Sequence, residues 1–412
     1  MVKKQIQRLE IVFDSQSNTF YAGNNVTGKV IVELTEPMKV RGIRVRFLGE
    51  SVVSFSDANK YSKTHSDRVQ YFDESRVIFG THSTGIGGGA SASDSPNLEP
   101  GTHEFLFSLP LAADLPTSFE SKHGHIRYTA KAYIHRPWKF DNTTKAAFSV
   151  VSCVDLNQEP LAFTPGFGRT QQRFTLSERL LSCLKGGLIV QIKIDRSAFV
   201  PGEVIPLNVE VLNNSSTRVK KVEAYLQQNI LCLARTGSRF FAGTDKIGLV
   251  SHGQIAPGEA LIWNREPLSV PPLPPTKLGR AKLLSVDYML KLNVFLDKNN
   301  KEIRMSMPIV IGSIPLHQHN LPWLPVSQST AQVGRPTVVP VTGQIETGGS
   351  VVSPSAPPGE DYLGPPPSYE ECVFMDQGNL RDSEDDQHTE GALTYRPSYP
   401  LYPTLRPVGS SV

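Results

Sequence analysis

Apolar and polar residues alternate with a period of two along most of the chain, which is the pattern of half-buried β-strands. The clearest runs of this kind lie at residues 26–34, 126–134, 190–194 and 207–211. Turn-forming Pro-Gly and Gly-Asn pairs separate the runs. Only one segment, at residues 175–184, carries leucines spaced for one face of a helix. The pattern predicts an all-β chain with one short helix.

The strand-and-turn pattern occurs twice in the same order. Phe20, Gly23, Val26, Val30 and Val32 match Phe199, Gly202, Ile205, Val209 and Val211 at a constant offset. The strand at 126–134 matches a second one at 286–294, and a Gly/Ser-rich stretch at 82–97 accounts for most of the extra length of the first copy. The repeat predicts two tandem β-sandwiches at 1–152 and 184–316, with a linker at 153–183 that contains the short helix.

After residue 316 the composition changes. Fourteen of the 32 prolines lie in the last 96 residues, and few apolar clusters accompany them. A segment of this kind buries too little apolar surface to offset the entropy lost on ordering. We therefore expect residues 317–412 to form a disordered, Pro-rich C-terminal tail.

The formal net charge of +3 conceals an uneven distribution. The tail carries four basic and eleven acidic residues, a net charge of −7, so the body at 1–316 carries +10. Because the positive charges are dispersed over strands rather than clustered with aromatic residues, nucleic acid is not an expected partner. An anionic membrane surface or an acidic cargo segment fits better. The acidic tail would then either extend away from the membrane or fold back on the body as a mask.

The sequence offers no catalytic, cofactor or metal site. The four cysteines are scattered, without a Cys-x-x-Cys pair, and the glycine run at 85–89 is not followed by the helix that a dinucleotide site requires. His317 and His319 have no carboxylate or thiol at ligand spacing. The first residues lack the apolar core of a signal peptide, so we expect a cytoplasmic protein. Because the sequence offers no catalytic cluster, we also expect a protein that is not an enzyme.

The most specific motif lies in the tail, where the sequence Pro-Pro-Pro-Ser-Tyr includes Pro366, Pro367 and Tyr369. Consecutive prolines favour a polyproline II helix, and PPxY sequences are bound by the aromatic groove of WW domains. We predict that Pro366 and Pro367 fill this groove and that the Tyr369 ring enters a second pocket. Pro397 and Tyr399 keep Pro-x-Tyr without the first proline, so they are at most a weak secondary WW-binding site.

Several longer strings carry a family resemblance. They are Leu-Glu-Pro-Gly-Thr-His-Glu-Phe-Leu-Phe-Ser-Leu-Pro at 98–110, Gly-His-Ile-Arg-Tyr at 124–128, Ile-Asp-Arg-Ser-Ala-Phe-Val-Pro-Gly at 194–202 and Pro-Ile-Val-Ile-Gly-Ser-Ile-Pro at 308–315. Together with the PPxY motif they resemble the arrestin-domain-containing proteins, or α-arrestins. The resemblance implies an arrestin fold and an adaptor that links membrane-protein cargo to HECT-type ubiquitin ligases carrying WW domains. It also implies a role in cargo ubiquitination, endocytosis and endosomal transport, at the plasma membrane and endosomes.

The chain departs from the family pattern at two places. A second intact PPxY is replaced by the segment of Pro397 and Tyr399. The thioredoxin-binding branch has a cysteine between the second Pro-Gly turn and a tryptophan, whereas no cysteine lies between Gly258 and Trp263 here, so thioredoxin is not an expected partner. The alternative interpretation is an endosomal coat or sorting scaffold with the same fold that acts independently of a ubiquitin ligase.

Overall fold

The computed structural model describes residues 5–15, 17–56, 64–80, 96–137, 140–172, 187–279, 281–297, 301–317, 367–385 and 389–402. Regular structure in these residues consists of β-strands and a few single 3₁₀ turns, which confirms the predicted all-β fold. The short helix predicted at 175–184 and most of the Gly/Ser-rich stretch at 82–97 lie outside the described residues.

The first domain is a β-sandwich. Its strands are β1 (Ile6–Phe13), β2 (Thr19–Tyr21), β3 (Asn25–Leu34), β4 (Met38–Lys39), β5 (Gly42–Ser56), β6 (Thr64–Gly80), β7 (Asn97–Leu98), β8 (Gly101–Pro110), β9 (Phe119–Ser121), β10 (Gly124–His135) and β11 (Asn142–Val151). One sheet has the order β1-β3-β8 and the other has the order β2-β11-β10-β5-β6. Alternate residues of the strands, such as Val45 and Phe47 on β5, are buried between the two sheets.

The second domain repeats this arrangement. Its strands are β12 (Gly166–Gln172), β13 (Leu188–Ile194), β14 (Ala198–Phe199), β15 (Val204–Asn213), β16 (Val219–Leu233), β17 (Arg239–His252), β18 (Ala260–Ser269), β19 (Leu284–Leu296) and β20 (Glu302–Ile311). The sheets have the orders β12-β13-β15-β18 and β14-β20-β19-β16-β17. β13, β15 and β18 thus correspond to β1, β3 and β8, and in both domains a short parallel strand joins the second sheet. The predicted internal repeat is confirmed.

One strand differs from the predicted division of the chain. β12 lies within the segment 153–183 that we expected to be a linker, but it pairs antiparallel with β13 over its whole length. β12 covers an edge of β13 that would otherwise expose unpaired backbone groups. This part of the segment therefore belongs to the second sandwich.

The two domains meet at a packed junction. The hydroxyl of Ser313 donates a hydrogen bond to the carbonyl of Ser152 at 2.7 Å, and the amide of Thr117 donates to the carbonyl of Leu278 at 3.0 Å. Leu156 and Val200 are fully buried beside these contacts. The junction is the place where part of the tail inserts.

Two segments of the tail are folded. They form β21 (Ser368–Glu371), β22 (Gly378–Asn379), β23 (Thr389–Gly391), β24 (Thr394–Tyr395) and β25 (Ser398–Leu401). β21 pairs with β25, β22 pairs with β24, and β23 joins the edge of β11 in the first domain. For residues 367–385 and 389–402, which we call the tail module, the structure therefore differs from the disorder expected over 317–412.

The composition of the tail does not indicate that the tail module folds, and the reason is physical. The apolar residues of the tail module occur in short runs, such as Cys-Val-Phe-Met at 372–375, which are too small to form a core of their own. Cys372, Met375, Leu380, Tyr399 and Tyr402 are nevertheless all buried, and all of them except Leu380 belong to apolar clusters shared with the two sandwiches. The remaining tail residues lie outside the described residues.

Candidate functional site

Of the predicted WW-binding residues, Tyr369 lies in β21, the first strand of the tail module, and Pro367 comes shortly before that strand. Pro367 is buried and Tyr369 is half-buried, while Pro366 lies outside the described residues. Tyr369 is opposite Pro400 in the antiparallel pair of β21 and β25. The segment is therefore an extended, paired strand in this structure, not the exposed polyproline II helix that a WW domain binds.

The ring of Tyr369 packs against the main hydrophobic core. Burial raises the pKa of its phenol to about 12, and a hydrogen bond with Tyr21 partly offsets that effect. Tyr369 therefore stays neutral at physiological pH and adds apolar contact to the junction. The ring that a WW domain would bind is occupied within the chain.

The predicted secondary site is even more deeply packed. Pro397 is buried, and Tyr399 is completely inaccessible to solvent. The hydroxyl of Tyr399 donates a hydrogen bond to the carbonyl of Ser118 at 2.7 Å, and the carbonyl of Pro397 accepts one from the amide of Cys372 at 3.1 Å. In this conformation these two residues anchor the tail module and are not accessible to a WW domain.

Tyr402 is a second anchor, and it contacts both domains. Its hydroxyl donates to the carbonyl of Ser313 at 2.7 Å, and its amide donates to the carbonyl of Pro201 at 3.0 Å. The oxygen of Tyr21, from the first domain, lies 3.4 Å from the Tyr402 oxygen. The sequence marks Tyr402 only as the tyrosine of another Pro-x-Tyr string that lacks the first proline, and nothing local indicates its position at the domain junction.

The strongest electrostatic contacts of the tail module involve two buried lysines. Lys131 on β10 and Lys145 on β11 are directly opposite each other in the sheet. They are only 7% and 4% exposed. Two like charges at paired positions of a sheet repel each other, and buried ammonium groups are costly unless they are paired. These positions therefore require nearby anions.

The anions come from residues 382–385 of the tail, which we call the acidic turn. Lys131 Nζ lies 2.6 Å from one carboxylate oxygen of Asp385, and Lys145 Nζ lies 3.0 Å from the other. Lys145 Nζ also lies 2.6 Å from Asp382 and donates a 2.6 Å hydrogen bond to the carbonyl of Leu380. The carboxylate of Asp385 thus bridges both lysines.

The ionisation of the acidic turn favours this arrangement. Burial alone would raise the pKa of Asp385, but hydrogen bonds from Lys131, from the amide of Asp382 and from Lys145 outweigh it and lower the pKa. The amide of Glu384 donates to the carboxylate of Asp382 at 2.9 Å, which closes the turn. The lowered pKa keeps Asp385 ionised at neutral pH, and the turn places its carboxylate against the two lysines.

Two arginines of the first domain flank the lysines. Arg127 donates to the carbonyl of Asn379 at 2.8 Å while it also pairs with Glu120. Arg46 pairs with both Asp73 and Glu384. Sequence reasoning did not identify these four basic residues individually, and the only signal for them was the opposite net charge of body and tail.

No feature of the described part of the chain indicates nucleophilic or metal chemistry. Burial raises the pKa of Cys153, Cys232 and Cys372 to about 11, so these thiols are protonated at neutral pH. Among the same residues, no three His, Cys, Asp or Glu side chains are grouped to hold a metal ion. In the described part of the chain, no helix is long and apolar enough to cross a bilayer. The arrangement binds a peptide segment.

The protein has a two-domain arrestin fold. Its two β-sandwiches share one topology, meet at a packed junction and hold the tail module against them. The profile of the family described as "Arrestin (or S-antigen), N-terminal domain" matches residues 9–157. The corresponding C-terminal domain profile matches residues 184–316. The chain belongs to the arrestin family.

Similar proteins define the branch of the family. "Arrestin domain-containing protein 17" of Caenorhabditis elegans is 29% identical over 439 aligned positions, which cover 97% of this chain and 99% of that protein. "Arrestin domain-containing protein 4" of Homo sapiens is 29% identical over 76% of this chain and 72% of its own length. "Thioredoxin-interacting protein" of Homo sapiens is 28% identical over 75% of each chain. The chain is thus an α-arrestin, and its family supports a general adaptor role in protein trafficking.

Proposed function

We propose that this protein links membrane-protein cargo to HECT-type ubiquitin ligases, and that Pro366, Pro367 and Tyr369 form the ligase-binding hook. The spacing Pro-Pro-x-Tyr supports this assignment, because a WW groove accepts two prolines and a second pocket accepts the tyrosine ring. The consequence for the cargo is ubiquitination, endocytosis and endosomal transport. The protein acts in the cytoplasm, at the inner face of the plasma membrane and on endosomes.

The observation that carries the proposal is that Tyr369 lies on β21, in a two-stranded sheet separate from the sheets of both sandwiches. β21 has four residues, and β25 of the same tail module is its partner in the sheet. Three of the four β21 side chains are exposed. The hook can therefore be released without breaking a sheet of either sandwich.

The body is the proposed contact for cargo and membrane. Its charge of +10 favours acidic cytoplasmic segments of membrane proteins and the anionic leaflet over nucleic acid. Thioredoxin is not part of the proposal, because Glu259, Ala260, Leu261 and Ile262 fill the interval before Trp263 without a cysteine.

The binding test uses a purified WW domain of a HECT-type ligase and a synthetic peptide of residues 362–373. Tyr369→Ala in the peptide should weaken binding at least tenfold, because it empties the tyrosine pocket. Tyr362→Ala, at a tail tyrosine not preceded by two prolines, is the matched control and should leave Kd unchanged. Equal affinities of the Tyr369→Ala and unmodified peptides would contradict the proposal.

One observation favours a second candidate function. Pro367 and Tyr369 are packed on the body in this structure, so the described part of the chain presents two sandwiches with these two motif residues closed. A coat-type sorting scaffold would work in this state. Deletion of residues 360–371 discriminates between the two, because a scaffold retains its effect on cargo sorting and a ligase adaptor loses it.

A further inference from the structure

We propose that the surface formed by Arg46, Arg127, Lys131 and Lys145 is a binding site for the chain's own acidic turn, and that occupation of this site withholds the hook from WW domains. The inference rests on the proposed function, because it concerns regulation of the same hook. The ligand class is an extended peptide with closely spaced carboxylates. The resident ligand is the acidic turn with its carboxylates of Asp382, Glu384 and Asp385.

The closed hook cannot bind a WW domain. The backbone of β21 is paired with β25 along all four residues, and Pro367 is buried. The ring of Tyr369 packs on the core next to Tyr21. A WW groove needs both the prolines and the tyrosine ring free on one side of a polyproline II helix. Binding therefore requires β21 to leave its present position.

The hook and the acidic turn belong to one connected unit. β25 holds β21, and Gly378 of β22 is opposite Tyr395 of β24. The amide of Leu380, at the start of the acidic segment, donates to the carbonyl of Leu393 at 2.8 Å. If the acidic turn leaves the basic surface, the neighbouring pair of β22 with β24 and the hydrogen bond of Leu380 with Leu393 are weakened. Displacement of the turn therefore destabilises the closed position of the hook.

Because of the two buried lysines, the stability of the closed state depends on the negative charge of the acidic turn. In the closed state the pair Lys131 and Lys145 needs the carboxylates of the acidic turn, since two buried ammonium groups would otherwise be close together without a counter-charge. In the open state both ammonium groups return to water. Neutralising the carboxylates therefore penalises only the closed state, and the population shifts toward a free hook.

The shift has a measurable consequence. If only the open chain binds, the apparent Kd equals the intrinsic Kd divided by the open fraction. A free hook peptide measures the intrinsic Kd, and the full chain measures the apparent one. The ratio of the two gives the open fraction directly.

The experiment measures binding of one purified WW domain to the full chain, to the 362–373 peptide and to two full-chain variants. The full chain should bind at least tenfold more weakly than the peptide. Asp382→Asn/Asp385→Asn should bring the full chain to within about threefold of the peptide. Asp376→Asn is the matched control, because this exposed tail carboxylate lies near Glu120 and not beside the lysines; it should not tighten binding.

A second measurement reports on closure without any WW domain. Cys372 is fully buried in the tail module, so its labelling by a thiol reagent, quantified by peptide mass spectrometry, follows opening of the module. The double variant should label at Cys372 at least tenfold faster than the unmodified chain. Cys232, buried in the second domain, should label at the same rate in both.

The outcomes separate the two proposals. A peptide that fails to bind the WW domain overturns the assigned function and the regulation that rests on it. A peptide and an unmodified full chain with equal Kd leave the function intact and overturn the inference. The inference is also overturned if the double variant neither binds more tightly nor labels faster at Cys372.

Discussion

The hydroxyl of Tyr399 donates a 2.7 Å hydrogen bond to the carbonyl of Ser118, across 281 positions of the chain. Both residues are completely buried. Burial is also the main reason why the pKa of the Tyr399 phenol is raised well above its ordinary value. A residue of the predicted disordered tail is thus part of the interior of the first domain. Docking of the tail module is a tertiary interaction of the same kind as core packing.

Substitution of Tyr399 should release the tail module in graded steps. Tyr399→Phe keeps the ring and leaves the carbonyl of Ser118 without its donor, which should weaken docking by about 1–2 kcal/mol. Tyr399→Ala also creates a cavity, so it should cost about 3–5 kcal/mol. Cys372 labelling should accelerate in the order unmodified, Phe, Ala. Equal labelling of the three proteins would show that this anchor is not needed.

Two glycines provide a matched test of the Tyr402 anchor. Gly202 and Gly258 both follow a proline and have φ values of +94° and +88°. A Cβ at Gly202 would lie 2.7 Å from the backbone of Tyr402, whereas a Cβ at Gly258 meets open space. Alanine at either position strains the left-handed backbone by about 1–2 kcal/mol, and only Gly202→Ala also displaces Tyr402.

Proteolysis of the tail under native conditions checks this expectation. Gly202→Ala should expose the tail module to protease much more than Gly258→Ala, while both variants lose similar thermal stability from backbone strain. Equal tail cleavage in the two variants would rule out Tyr402 as an anchor.

Salt should loosen the acidic turn. A cavity of about 430 Å³, lined by Lys131, Tyr133, Glu384 and Thr389 among others, lies at the seam between body and tail module, so ions can reach this region. The ion pair of Arg46 with Glu384 is also partly exposed. Raising ionic strength from about 0.05 M to 0.5 M should narrow the affinity gap between peptide and full chain about two- to threefold. The Asp382→Asn/Asp385→Asn chain should show no such narrowing, and a gap that widens with salt would contradict an ionic contribution to closure.

The first domain should lose stability below neutral pH because of His125. Burial, with smaller contributions from Arg127 and Arg68, lowers the pKa of His125 from 6.5 to about 3. Between these values the unfolded chain binds a proton that the folded chain excludes, so the free energy of unfolding falls as pH decreases, by up to about 1.4 kcal/mol per pH unit.

Chemical denaturation at several pH values between 6.5 and 4 measures this slope. His125→Asn should make the dependence on pH shallower, because the group that takes up the proton on unfolding is gone. His252→Asn, at an exposed position of β17, is the matched control and should keep the original slope. Identical slopes for both variants would assign the acid sensitivity to other groups.

The two sandwiches could be predicted from the sequence because the alternation of apolar and polar residues arises within each strand. The alternation at Val26 to Val32 and its copy at Ile205 to Val211 are set by burial of one strand face, and both became the central strands β3 and β15. The order of the repeat likewise corresponded to the order of strands in each sheet. Strand periodicity and its duplication needed no knowledge of distant contacts.

The packing of the tail could not be predicted in the same way. Lys131 and Asp385 are 254 positions apart, and each occurs in a local pattern typical of a solvated surface. Only the charges of −7 and +10 indicated that the segments could meet, and they allowed an extended tail equally well. Tyr399 was identified by its Pro-x-Tyr context as a ligand for another protein, whereas its burial depends on the interior of the first domain.

The central claim is that the body withholds the hook and that a WW domain binds it only after the tail module opens. Hydrogen exchange on the full chain tests this claim most directly. In the closed chain the amides of Cys372 and Leu380 donate to carbonyls of the tail module and the amide of Tyr402 donates to the carbonyl of Pro201 in the second domain, so all three should be protected in the free chain. Saturation with a WW domain should remove the protection of all three while the amides of β10 stay protected. Protection that persists at all three amides in the saturated complex would contradict the account.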